Sequence, residues 1–349
     1  MPTVRVSVNG YGTIGKRVAD AVALQPDLRL VGIAKTRPNF EAEIAQARGY
    51  PIFVAGEGDA AAFHTAGIAV AGRLDDMLRG SDVVVDCAPE SVGKQNAETY
   101  RQAGVRAIFQ GGEAADVAEV SFNAAGNYAA AKGKRTVRVV SCNTTGLARA
   151  AAVLRASFGV VDWEATLVRR AADPAETQRG PVNGILPAMK IPSHHGPDVQ
   201  TIFPDLRIST MALVVPTTLM HVHANHVRLE RPPASASDVL AAFRAAPRFR
   251  LFRKWEHVDG TPQVMEFARD RASGRADVPE NVLWEEGLSL RGADLRFFQG
   301  IHQESIVVPE NIDAIRAMFE LAPDGASSIA LTDRSMLPAP PSSAATPRP

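Results

Sequence analysis

The sequence predicts an α/β fold: a doubly wound, mostly parallel sheet covered on both faces, followed by an α+β domain carrying a mainly antiparallel sheet. Three observations predict it. Short β-branched runs alternate with Ala-rich stretches of helical spacing as far as Val140, a glycine turn joins the first strand to the first helix, and the texture changes after Cys142. Strand and helix in alternation imply parallel strands with helices on both sides.

The elements follow in order. Val4, Val6 and Val8 mark a first strand, and "NGYGTIG" leads straight into "KRVADAVALQ", which has helical spacing. "LRLVGIAK", "DVVVDCAP", "VRAIFQGG" and "RTVRVVSC" are the further strands of this sheet. A long helix from Thr144 to about Phe158 opens the second part. Strand-like runs follow at "WEATLVRRA", "LRISTMALVVPTT", "LMHVHANHVRLE" and "NVLWEEGLSLRGADLRFFQGI". Between them lies the helix "SASDVLAAFRAAP", with Ser235 or Ser237 as its cap. Pro309 and Glu310 start an amphipathic helix that returns to the first domain, and the Pro-, Ser- and Ala-rich end is expected to be disordered. The expected division is therefore 1–141, 142–304, a returning helix over 305–335, and a tail at 336–349.

Composition narrows the function. A length of 349 residues allows two domains, each with its own core. Lys plus Arg equal Asp plus Glu at 38 each, so no net charge draws the chain to nucleic acid or an anionic membrane. A small-molecule partner is expected instead. Cys87 and Cys142 are the two cysteines, with neither a disulfide framework nor zinc spacing, which fits a reducing cytoplasm. The N-terminus lacks the pattern of a secretory signal, and no apolar run reaches the ~18 residues of a membrane span.

Gly10, Gly12 and Gly15 form G-x-G-x-x-G between a strand and a helix, the Rossmann-type arrangement in which backbone amides approach a pyrophosphate. Dinucleotide binding is expected there. A site selective for NAD usually carries an acid about 20 residues further on, at the end of the second strand. Lys35, Thr36 and Arg37 occupy that place, so NADP is expected in preference to NAD. The alternative is that these are solvated loop charges.

Cys142 lies between the strand "VRVV" and Asn143, Thr144 and Thr145, which suit a helix cap. A sulfur at a helix N-terminus meets unpaired amides and the positive end of the dipole, which lower a thiol pKa. That is a nucleophile's environment. From position alone, a small buried thiol is an equal alternative; Cys87 is expected only to pack. The base would come from His194, His195, His221, His223 or His226. His221 and His223 share one face of a strand, a geometry that also suits a metal, but no nearby acid or Cys completes a site and none is expected. Spacing does not choose among the five.

Taken together, "NGYGTIGKRVADAV", "AKTRP", "FQGGE", "VSCNTTGLAR", "VRRAADP", "GPVNGILP", "SHHGPDVQT", "MALVVPTTLMHVH" and "IHQESIVVPENIDAIRAM" resemble the archaeal-type, or type II, phosphorylating glyceraldehyde-3-phosphate dehydrogenases. The match runs in order from about residue 4 to 320. The resemblance implies a homotetramer that oxidises D-glyceraldehyde 3-phosphate with inorganic phosphate and NAD(P). It implies Cys142 as nucleophile and His221 as base. Thr13, Ile14, Gly112, Arg170 and Gln303 would lie on the cofactor; Ser141 and Asn143 would flank the aldehyde, and the turn of His194, His195 and Gly196 would help hold the substrate. Three stretches depart from the pattern: "PESVGKQNAETY" lacks a glycine pair after its proline, and the "PAMKIP" connection and the Pro-rich tail are atypical. The nearest alternatives are another Cys/His enzyme of acyl phosphates, such as aspartate-semialdehyde dehydrogenase or N-acetyl-glutamyl-phosphate reductase, and a non-catalytic NADP-binding regulator.

Overall fold

The structure, a computed structural model, describes residues 3–89, 91–110, 112–172, 180, 183–271 and 274–337. The proline-rich end, read above as a disordered tail, lies outside these residues from position 338 on, as do Gly111 and parts of "VRRAADP" and "GPVNGILP".

The first sheet holds β1 (Val4–Asn9), β2 (Leu28–Lys35), β3 (Ile52–Val54), β4 (Gly72–Arg73), β5 (Val83–Asp86), β6 (Arg106–Phe109), β7 (Val120–Phe122) and β8 (Thr136–Val139). Its order is β4-β3-β2-β1-β5-β6-β8-β7, and all its pairings are parallel. Helices α1 (Gly15–Ala23), α2 (Phe40–Ala47), α3 (Ala60–Thr65), α4 (Leu74–Arg79), α5 (Val92–Gln102) and α6 (Ala124–Asn127) connect the strands. Every residue of β5 is buried, which accounts for its unbroken apolar reading. Chain direction across the sheet reverses between β1 and β5, and that reversal opens a crevice beyond their C-terminal ends. Three strands, β3, β4 and β7, escape the sequence reading. With two or three residues each, they are too short to show a period.

The second part begins with α7 (Cys142–Phe158). Its mixed sheet contains β9 (Val160–Arg170), β10 (Leu186–Pro187), β11 (Ile208–Val215), β12 (His221–Leu229), β13 (Phe249–Phe252), β14 (Asn281–Trp284), β15 (Ser289–Arg291) and β16 (Asp294–Ile301), with α8 (His195–Gln200), α9 (Ala236–Ala245) and α10 (Thr261–Asp270) between strands. The order is β10-β11-β9-β12-β16-β14-β13, and β15 pairs with β16. Only β11 with β9 and β13 with β14 run parallel. One face packs Trp163, Leu167, Val227, Leu295 and Phe297 against Leu147 and Leu154 of α7 and Phe243 of α9.

Several boundaries differ from the sequence reading. The run 281–301 is broken into β14, β15 and β16 by a tight 3-10 turn at Glu285–Gly287 and by Gly292, whose φ of 59° suits only a hairpin turn. β13 and α10 were not foreseen. Helix α7 starts at Cys142 rather than Thr144, capped by Ser141 rather than by the three residues after the cysteine. At α9 the cap is Ser235, whose N–H and Oγ–H both donate to Asp238, at 2.9 and 3.1 Å.

The returning segment is two helices, α11 (Val308–Met318) and α12 (Gly325–Met336), where one was expected. The second ends at Met336, inside the stretch read as tail. Ile312 and Ile315 of α11 join Val18 and Val22 of α1 in the core of the first domain. In the segment without the glycine pair, Ser91 takes a φ of 72° just ahead of α5. A non-glycine residue held there costs about 1–2 kcal/mol. Among the described residues no helix is long and apolar enough to cross a membrane.

Candidate active site

The glycine loop closes tightly. Gly10 has a φ of 92°, and a Cβ there would lie 2.8 Å from the backbone carbon of Cys87; one on Gly15 would lie 1.8 Å from the Gly10 carbonyl oxygen. Both positions therefore exclude any side chain. Gly12 differs: nothing stands within 4 Å of its Cβ position. That open space, above the start of α1, fits a pyrophosphate against backbone amides. A cavity of about 830 Å³ runs from this loop, past the end of β2, to Arg170 and Gln303. Gly10, Gly12, Thr13, Ile14, Lys35 and Thr36 line it, while Gly15 and Gly112 do not, Gly15 being buried in the loop's own packing.

Cys142 stands half-buried at the first position of α7. Ser141 Oγ accepts from the Thr144 N–H at 3.4 Å, and Thr144 Oγ1 donates to Asp198 Oδ2 at 2.7 Å. Asp198, on α8, also pairs with Arg138 of β8, tying α8 to the strand that delivers the cysteine. The thiol pKa is raised, contrary to the expectation from the helix end. Burial pushes it up, and the charges of Arg169 and Arg170 with the amides of Asn143 and Cys142 only partly oppose that.

His221, at the start of β12, is buried and feels the same two arginines. Burial, then His223 and the two guanidiniums, hold its pKa well below the ordinary value. The Arg170 N–H donates to His221 Nδ1 at 3.0 Å, which leaves the proton of the neutral ring on Nε2. The resting pair is thus a thiol and a neutral imidazole, not a thiolate and an imidazolium.

Beneath Cys142 runs a chain of neutral groups. The Asn281 amide donates to Gln299 Oε1 (3.0 Å), and Gln299 Nε2 donates to His223 Nδ1 (3.0 Å). The His223 proton therefore sits on Nε2 and goes to Asn143 Oδ1 at 2.8 Å. Asn143 Nδ2 then donates to His195 Nε2 at 3.4 Å, and His195 Nδ1–H to Ser193 Oγ at 3.0 Å. An amide N–H only donates, so the direction of the whole chain is set. Burial pushes the pKa of His195 down to about 2 and that of His223 to about 3. Both rings stay neutral.

This chain separates the three residues of the "HHG" turn, which is in fact the first turn of α8. His195 has both ring nitrogens engaged, and the Gly196 N–H donates to Thr210 Oγ1 at 3.0 Å. His194 is exposed and stacks on His195 with ring centroids 3.9 Å apart. His226 points elsewhere, to Asp294, and no group of three His, Cys, Asp or Glu able to hold a metal occurs among the described residues.

Comparison with known proteins gives the family of the chain. Residues 141–278 match the family model described as glyceraldehyde 3-phosphate dehydrogenase, C-terminal domain, and residues 4–124 match that of dihydrodipicolinate reductase, N-terminus. The chain is 53% identical over 331 residues to a glyceraldehyde-3-phosphate dehydrogenase of Halobacterium salinarum, covering 95% of this chain and 98% of that one. It is 52% identical to that of Archaeoglobus fulgidus (96% and 98% covered) and 51% identical to that of Thermococcus kodakarensis (95% and 98% covered). The chain belongs to the glyceraldehyde-3-phosphate dehydrogenase family.

For a glyceraldehyde-3-phosphate dehydrogenase, two residues missed in the sequence stand out. Arg169 is partly buried beside Cys142, His195 and His221, and its Nε has no hydrogen-bond partner among the described residues. Only the doubled arginine of "VRR" hinted at it. Glu304 accepts from Arg170 Nη1 (3.5 Å) and from Arg17 Nη2 (2.9 Å), while Arg17 Nη1 donates to the Thr13 carbonyl at 2.7 Å. The strand whose Arg170 amide meets His221 is thereby wired to the glycine loop.

Proposed function

We propose that this chain is a phosphorylating dehydrogenase of D-glyceraldehyde 3-phosphate that forms 1,3-bisphosphoglycerate through Cys142, reversibly, with NADP preferred over NAD. The observation that carries this is the placement of Cys142 and His221 within reach of the same two arginines, of which Arg170 also lines the glycine-loop cavity.

Cys142 Sγ attacks the aldehyde carbon, and the thiol proton passes to the oxygen to give a thiohemiacetal. The Nε2–H of His221 donates to that oxygen as its charge develops. Taking a proton in turn requires the ring to release the Arg170 amide, since Nδ1 is engaged in the resting state. His221 then accepts the hydroxyl proton as the carbon loses a hydride, leaving a thioester on Cys142. A bound nicotinamide supplies the hydride acceptor, at its C4. A phosphate oxygen attacks the thioester carbon, the thiolate leaves, and the acyl phosphate forms. Ser141 and Asn143 flank the aldehyde, and Arg169 with exposed His194 holds the substrate phosphate, a role that His195 and Gly196, engaged by Asn143, Ser193 and Thr210, support from behind.

In the cofactor cavity, Gly10, Gly12, Thr13 and Ile14 line the pyrophosphate loop, closed from behind by Gly15, with Arg170 and Gln303 toward the nicotinamide end and Gly112 outside the cavity's lining. Lys35, Thr36 and Arg37 line the far end of the cavity, where the exposed guanidinium of Arg37 supports NADP. A homotetramer is supported by the uncovered face of the second sheet, where Met211 and Phe298 are half-exposed, bordered by exposed Leu186, Met189 and Ile191. The two free cysteines support a cytoplasmic location.

Initial rates with glyceraldehyde 3-phosphate, with and without inorganic phosphate and with each nicotinamide cofactor, test the proposal. Phosphate-dependent reduction of NADP is expected. Turnover independent of phosphate, or activity on aspartate semialdehyde alone, would overturn it.

A further inference from the structure

The end of β2 carries no acid in the sequence, yet the fold puts one there. Asn39 caps α2 by accepting the Ala42 N–H at 3.2 Å, and the first turn of that helix swings Glu41 back over the strand end. Glu41 lines the same corner of the cavity as Lys35, Thr36 and Arg37. Its Oε2 accepts from Lys35 Nζ at 2.7 Å and Asn39 Nδ2 at 3.3 Å, and its Oε1 accepts from Lys16 Nζ at 3.3 Å. Lys35 Nζ also donates to the Tyr11 carbonyl at 3.1 Å. Both lysines are thus held, with little of either side chain exposed. Arg37, by contrast, is exposed and pairs with no described residue.

A carboxylate offers about four acceptor positions, and three on Glu41 are taken. One remains, on a side chain that lines the cavity. Burial opposes the charge on Glu41, but the hydrogen bond and charge of Lys35, then Lys16 and Asn39, hold its pKa below the usual carboxylate range. The group is an anion at neutral pH.

We propose that Glu41 sets the nucleotide preference of this pocket: it accepts the ribose 2′-hydroxyl of NAD, and by holding Lys35 and Lys16 it withholds two ammonium groups from the 2′-phosphate of NADP. Arg37 is then the cation left free for that phosphate. The corner accepts both nucleotides because its acid and its unpaired cation come from different elements. This rests on the cofactor pocket assigned above, and binding of NAD or NADP to the wild-type chain tests that assignment separately.

Dissociation constants for NAD and NADP, measured by calorimetry on the full chain without substrate, test the proposal. Glu41→Gln removes the charge but keeps the shape. It is expected to tighten NADP about tenfold, with a steeper loss of affinity in salt, while NAD changes little or weakens. The gain should vanish in Glu41→Gln combined with Lys35→Met, since the freed ammonium is its cause. Arg37→Gln, at an exposed position that leaves the fold alone, should weaken NADP about tenfold and leave NAD unchanged. If Glu41→Gln moves both constants together, or neither, Glu41 only staples the lysines and the proposal falls. If Arg37→Gln weakens both nucleotides alike, the assignment of the free cation falls with it. A wild-type chain that binds neither nucleotide would overturn the pocket itself rather than the role of Glu41.

Discussion

Two buried polar networks hang on α7, and they are built from opposite chemistry. At its N-terminus, Asn143 belongs to a chain of amides, hydroxyls and neutral imidazoles. Less than two turns on, Arg149 belongs to a cluster of charges: it pairs with Glu310 at 2.7 Å, while Arg248 pairs with Glu310, Asp313 and Asp333 at 3.1, 2.7 and 2.8 Å. Glu310 also accepts the Ala124 N–H at 2.7 Å, so one carboxylate joins the helix of the cysteine to both α11 and the first domain. The difference is instructive. Fixed charges hold two domains in register, whereas next to Cys142, the proposed nucleophile, a neutral chain fixes tautomers without adding charge that would compete with the charge of the reaction.

The comparison predicts that damage at one end changes chemistry and damage at the other changes stability. Cys142→Ala should lose turnover altogether while nucleotide affinity and unfolding free energy stay near wild type; residual phosphate-dependent turnover would refute the nucleophile. His221→Asn should lower kcat by about 10² to 10⁴-fold, the range of positioned acid–base catalysis, with little change in denaturant midpoint. If His223→Asn proved the more damaging change, the two histidines would have exchanged roles.

The ionic end should answer differently. Glu310→Ala leaves two guanidiniums short of a partner and should cost about 3–5 kcal/mol in urea unfolding. Any folded fraction should keep its reactive cysteine. A loss under about 1 kcal/mol would mean that the cluster is solvated and is not the joint described here.

Acid should break the neutral end first. His195 and His223, with pKa values of about 2 and about 3, and outside that chain buried His302, bonded to Ser305 and at about 3, take up no proton in the fold until far below the ordinary value of 6.5. Above pH 6.5 neither state binds these protons and stability is fully present. Between pH 6.5 and about 3 the unfolded chain binds them and the folded chain does not, so stability falls as pH falls, by about 1.4 kcal/mol per pH unit for each histidine. Urea unfolding between pH 7 and 5 measures that slope, and His223→Gln should reduce it by one proton's share.

What could be read directly was local. The strand, glycine turn and helix of residues 4–23 lie within one stretch of chain, so apolar period and glycine spacing announce them, as they do the cysteine between a strand and a capped helix. The strands β3, β4 and β7 stayed hidden because two or three residues have no period, and they form only because a longer neighbour offers an edge. Resemblance to a family supplied His221, which spacing alone left among five histidines.

Two features of the site reverse or complicate a local reading. A helix N-terminus lowers a thiol pKa, yet packing around Cys142 raises it, because desolvation depends on everything that surrounds the sulfur. The end of β2 spells Lys-Thr-Arg, yet α2 folds Glu41 onto Lys35. The sequence by itself determined the parallel fold, the glycine loop and the cysteine's position at a strand–helix junction, since each depends on neighbours along the chain. Only the tertiary structure decided which arginine meets the cysteine, which way the neutral chain donates, and which acid shares the cofactor corner. Those depend on groups brought together through space, whose burial and partners no stretch of sequence contains.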